Sequence, residues 1–175
     1  SIILKTSYPE KIKRSSISSN RHALYLSVPS LKHLDKYITE IKKTEINAVV
    51  IDMKDDFGNI YFTASARTAS DINAQKKPVD LKSILKKLKE NNIYAIARIV
   101  TFKDQKMFNA FNGAYSIKNK NTGRPWQGKE AEFWVDAYSE FVQDYNIGLA
   151  LDLEKAGFDE IQFDYIRFPS EGAIN

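Results

Sequence analysis

The 175-residue chain is 43% hydrophobic and 27% charged, carries a formal net charge of +4 and has no cysteine. That excludes disulfides and cysteine-based zinc or redox sites, and no apolar run approaches the roughly 18 residues of a membrane span. The lysines gather on polar helix faces (Lys42-Lys43, Lys86-Lys87, Lys89) without base-stacking aromatics, so the positive balance reads as solvated surface and not as a nucleic-acid site.

Residues 1–21 are polar and lack sustained period, and read as an arm. Residues 22–28 (HALYLSV) read as a first strand. Pro29-Ser30 then opens a helix with Leu31, Leu34, Ile38 and Ile41 on one face. A β-branched run over 47–55 (NAVVIDMKD) is the second strand. After a long loop, Asp80 caps a helix with Leu81, Ile84, Leu85 and Leu88 inward, ended by Asn91-Asn92. The third strand is 93–102 (IYAIARIVTF). A second long loop, 103–136, precedes a helix carrying Phe141, Val142, Tyr145, Leu149 and Leu153 and closed by Gly157. The fourth strand is 158–168 (FDEIQFDYIRF), stopped by Pro169.

Strand and helix alternating through four strands predict right-handed crossovers and a parallel α/β sheet. No Gly-rich phosphate turn follows a strand, which argues against a nucleotide-binding open sheet and for a (β/α) barrel of TIM type. A full barrel needs roughly 250 residues, so residues 22–175 supply about the first half. The remaining strands are expected from further polypeptide or from a partner chain. Without them both sheet edges stay open, and the half is not expected to be a stable monomer. Ser1 in place of Met suggests a trimmed chain, and the expected location is outside the cytoplasm: periplasm, cell surface or secreted.

Charge inside apolar strands marks the candidate site. Side chains alternate along a strand, which places Val50, Asp52 and Lys54 on one face of the second strand, with Asp55 and Asp56 beyond. Arg98 shares a face with Tyr94, Ile96, Val100 and Phe102, and Gln162 and Asp164 oppose Ile161, Phe163 and Tyr165. Such charges are costly unless paired, and they fall at the C-terminal strand ends, where barrel enzymes place their chemistry. Asp164 and Asp52 are therefore the catalytic candidates. Arg98, Lys54, Asp55, Gln162, Tyr165 and Arg167 form the expected substrate-binding set, with Trp126 and Trp134 as a sugar platform. His22 and His33 stand alone; no metal site and no cofactor is expected. Glycoside hydrolysis suits such a set, because it needs one protonated and one ionised carboxyl across the scissile bond.

The segments VVIDMKDDFGNI (49–60), DLKSILKKLKENNIYAIARIVTFKD (80–104), FWVDAYSEFVQDYN (133–146) and AGFDEIQFDYIRFP (156–169) together resemble a glycoside-hydrolase-like domain family of bacteria, distantly related to the α-amylases. The last segment is also similar to a strand of hydrolases that act on cell-wall glycans. The resemblance implies a barrel that cleaves a polysaccharide or cell-wall glycan, with Asp164 where amylase-type barrels keep their fourth-strand catalytic Asp. Those barrels carry an Arg two residues earlier, where this chain has Gln162. That departure motivates the alternative of a barrel that binds glycan without cleaving it.

Overall fold

The computed structural model describes residues 19–128, 132–170, 172 and 174; most of the expected N-terminal arm lies outside the described residues. Strand β1 (Ala23–Leu26) runs through a 3-10 turn (Val28–His33) into α1 (Leu34–Ile41). Pro29 opens this turn, where its missing N–H goes unnoticed. Next come β2 (Ala48–Lys54), the short α2 (Arg67–Asp71), α3 (Leu81–Glu90) and β3 (Tyr94–Val100). The long loop after β3 holds α4 (Gln105–Asn109) and a 3-10 turn (Ala110–Gly113) before α5 (Glu140–Ala156) and β4 (Glu160–Asp164).

Local chemistry sets the element ends. Asp80 accepts from the Ser83 N–H at 3.0 Å to start α3, and Ser139 caps α5 through the Val142 N–H. Gly157, at φ 107°, ends α5 in a left-handed turn open to glycine. β4 is shorter than the sequence suggests, because Tyr165 takes a left-handed φ of 53° and bends the chain out of the sheet.

All strand pairs are parallel and the order is β1-β2-β3-β4. Each strand adds on the same side of its predecessor. With right-handed crossovers this keeps every connecting helix on one face, whereas a doubly wound sheet reverses direction and covers both. Packing agrees: Val49, Ile51, Met53, Ala95, Ala97 and Ile99 share one core with Ile38, Leu88, Leu149 and Leu153 of the helices. The other face holds a small apolar cluster of Ala48, Tyr94 and Ile96 beside Val50, toward the strands' N-terminal ends. Beyond it, toward the C-terminal ends, that face turns polar. This is the arrangement of a barrel wall: apolar layer outside, mixed interior, polar rim.

One irregularity matters for the site. Asp52 pairs with Arg98, but Lys54 pairs with Ile99, so β2 carries a bulge at Met53. The extra residue turns Lys54 onto the helix side.

Candidate active site at the strand ends

Four side chains from four adjacent strands meet on the inner face. The Tyr25 hydroxyl of β1 donates to Asp52 Oδ2 of β2. Arg98 of β3 donates through Nη1 to Asp52 Oδ1 at 2.6 Å. Its Nε and Nη2 reach Asp164 Oδ2 of β4 at 2.8 and 2.7 Å. The Tyr165 N–H closes the series on Asp164 Oδ1 at 2.7 Å. Strand register builds this row: Asp52 faces Arg98, and Val100, next on the Arg98 face, is level with Asp164. Gln162, where the resemblance to α-amylase-type barrels would place an Arg, is the register partner of Arg98 on the neighbouring strand.

Burial and charge compete over these groups. Burial opposes ionisation of Asp164, but the Arg98 hydrogen bond, the Tyr165 N–H and the charges of Arg98 and Arg167 outweigh it and hold its carboxyl below the usual range. Partial burial, then the hydrogen bond to Asp52 and the Asp52 charge, push the Tyr25 phenol up to about 12. Burial disfavours the Arg98 cation, yet its two carboxylates raise it above the ordinary value. Asp164 is the more open of the two carboxylates, its side chain 39% exposed against 14% for Asp52.

The loop after β3 adds a wall. Lys103 Nζ lies 3.4 Å from Asp56 Oδ2 and 3.1 Å from Glu132 Oε1, and 5.3 Å above the Tyr165 ring. Trp134 Nε1 donates to Glu132 Oε2 at 3.2 Å. The Arg167 guanidinium lies 4.9 Å from the Trp134 ring and 5.7 Å from that of Tyr165.

The structure brings together Asp52, Arg98, Asp164, Gln162, Tyr165 and Arg167, and corrects the placement of four other expected residues. Lys54 does not share a face with Asp52. Carried outward by the bulge, it is fully buried, 2.8 Å from Asp104 Oδ2, and donates to Val100 O, Thr101 O and Asn146 Oδ1. The Asp55 carboxylate is taken up by its own loop, accepting from Phe57 N, Asn59 N, Asn59 Nδ2 and the Tyr61 hydroxyl. Trp126 and Trp134 are no open sugar platform: at 8% and 0% exposure they form a buried cluster with Ile117 that anchors the loop. The residue missed from sequence is Tyr25. Its signal was present, since Ala23, Tyr25 and Ser27 alternate with the apolar Leu24, Leu26 and Val28.

A parallel sheet in consecutive order, its helices on one face and a carboxylate–guanidinium row at its C-terminal ends, is the four-stranded half of a TIM-type barrel. Residues 23–175 match the family model described as "putative glycosyl hydrolase domain", and the chain belongs to that family. A hypothetical protein from Ruminiclostridium thermocellum ATCC 27405 is 37% identical, with a TM-score of 0.77 over 84% of this chain and 78% of that one. The fold is also that of a noncanonic maltogenic α-amylase from Thermotoga neapolitana (15% identity, TM-score 0.53, 81% of this chain and 38% of that one). An α-galactosidase from Thermus thermophilus is similar at 14% identity and TM-score 0.53, over 81% of this chain and 30% of that one. The chain thus spans about a third of the length of these enzymes. No curated protein matches it. No described helix is long and apolar enough to cross a membrane.

Proposed function

We propose that this half-barrel supplies the ionised carboxylate of a glycoside hydrolase acting on a polysaccharide or cell-wall glycan. The observation that carries the reading is Asp164 itself: at a strand's C-terminal end, partly open, and held ionised by Arg98. An ionised, oriented carboxylate is what a nucleophile or a water-activating base requires. Asp52 is engaged as an acceptor on both oxygens, by Tyr25 and Arg98, and so orients the guanidinium. Neither group is placed to donate a proton, so the acid comes from a later strand of the barrel. A cell-wall substrate also agrees with a location outside the cytoplasm.

Screening the full-length polypeptide against a glycan panel tests the reading. Asp164→Asn should lower turnover of the cleaved glycan about 10²–10⁴-fold, the range lost with a general base or more, while leaving glycan binding intact. Turnover unchanged in Asp164→Asn would overturn the assignment. Binding without cleavage of any glycan would establish instead a barrel that holds glycan without hydrolysing it.

A further inference from the structure

The inference rests on the glycan-directed reading of this site and concerns the chemical class of the glycan. Beside Asp164 lies a cavity of about 360 Å³ lined by Arg98, Asp164, Tyr165, Ile166 and Arg167. It contains two guanidinium groups with different bonding. Arg98 is occupied on both sides, by Asp52 and by Asp164. Lys103, across the Tyr165 ring, is likewise occupied by Asp56 and Glu132. Arg167 has no carboxylate within ion-pair distance among the described residues; its Nη1 donates to Phe168 O at 3.0 Å.

Arg167 is nevertheless held in place. The left-handed turn at Tyr165 folds the chain back, and the guanidinium rests on the Trp134 and Tyr165 rings. Trp134 is itself fully buried and hydrogen-bonded to Glu132. Stacking on aromatic faces leaves the edge of a guanidinium free, and that edge is the fork that grips a carboxylate or phosphate with two parallel hydrogen bonds. A pre-positioned cation loses less rotamer entropy on binding than a free surface lysine.

We propose that Arg167 is a specificity-determining residue that recognises an anionic substituent, carboxylate or phosphate, on the sugar bound next to Asp164. The substrate class is therefore an acidic glycan. Arg98 cancels much of the repulsion that Asp164 would exert on such a group, and Arg167 supplies the remaining attraction.

Binding, not turnover, tests this, using calorimetry on the full-length protein with two matched pairs. One pair is trigalacturonate and its methyl ester; the other is maltotriose 6-phosphate and maltotriose. In at least one pair the charged member should bind about tenfold or more tightly, a margin one charge-assisted fork can supply. That preference should weaken with added salt and vanish in Arg167→Gln. Arg167→Lys keeps the charge without the planar fork and should retain only part of it. The pair that shows the preference tells carboxylate from phosphate. Equal or absent binding of charged and neutral members in both pairs would overturn the proposal, as would a preference surviving in Arg167→Gln. A thermal melt of both variants confirms that they fold. Tight acidic-glycan binding without cleavage leaves the inference standing and removes the hydrolase reading; cleavage of neutral glycans alone does the reverse.

Discussion

Two charged networks lie back to back across β2, and their differences show which does structural work and which chemical. On the helix side, Lys54 and Asp104 are 0% and 1% exposed. Their partners are fixed carbonyls, an Asn side chain and, for Asp104 Oδ1, the Met107 N–H that starts α4. On the barrel side, Tyr25, Asp52, Arg98 and Asp164 form a row that stays partly open, with Asp164 the more accessible of its two carboxylates. A sealed network in which every charge is matched has no vacancy for a ligand. An open one keeps lone pairs and N–H groups facing the cavity. Asp52 and Lys54, two residues apart, belong to opposite networks because one bulge intervenes.

Breaking the sealed network should give the larger effect on stability. Lys54→Met removes the cation and leaves Asp104 buried without its partner, which typically costs about 3–5 kcal/mol. Urea unfolding of the full-length protein should show that loss. The double variant Lys54→Met/Asp104→Leu should recover a good part of it, since no lone charge then remains. A small loss in the single variant would mean the pair is not sealed in solution, and the contrast with the open row would fail.

Gly58 probes the same network without touching a charge. It sits at φ +82°, where a Cβ would overlap the Asp104 carboxylate and lie 2.7 Å from its Cγ. Asp104 cannot move aside, being tied to Lys54 and to the Met107 N–H. Gly58→Ala should therefore cost about 2–3 kcal/mol, combining left-handed backbone strain with overpacking. A near-neutral melting temperature would show that the loop of Asp55 and Asp56 yields.

Legibility in the sequence followed regularity. The strands and the helices α1, α3 and α5 announce themselves through unbroken periods of 2 and 3.6, and their consecutive alternation yields the half-barrel. Asp52, Arg98 and Asp164 were placed on one face because period 2 holds along each strand up to them. Lys54 was misplaced because one unpaired residue inverts the alternation, and nothing in VVIDMKDD marks where it falls. The two tryptophans sit in a loop without period, where exposure depends on contacts distant in sequence: Trp126 packs with Ile117 and Trp134. The five-residue helices α2 and α4 are too short to show a repeat. Tyr25 carries no formal charge, so a search for charge inside apolar strands passes over it, although it shares the alternation of β1.

The open row should respond to substitution more gently, and at alkaline pH in a direction that can be worked out. The Tyr25 phenol is raised from 10.0 to about 12 in the folded protein, by partial burial first and by Asp52 next. In the unfolded chain a tyrosine ionises near pH ~10. Below that pH both states carry the proton, and the contribution of Tyr25 to stability is fully present. Between about pH 10 and 12 the unfolded state loses its proton while the folded state keeps it. The contribution then falls as pH rises and is gone above the folded value. Tyr25 is 52% exposed, so solvent screening keeps the effect small. Tyr25→Phe should therefore unfold with a shallower decline over that interval than the parent protein. The phenolate absorbance difference between the two should show one group titrating about two units late. Tyr61 and Tyr145, also raised by burial, are common to both proteins and cancel in the difference. Parallel alkaline limbs would mean that the Tyr25–Asp52 bond does not persist in solution, and the open row would then begin at Asp52.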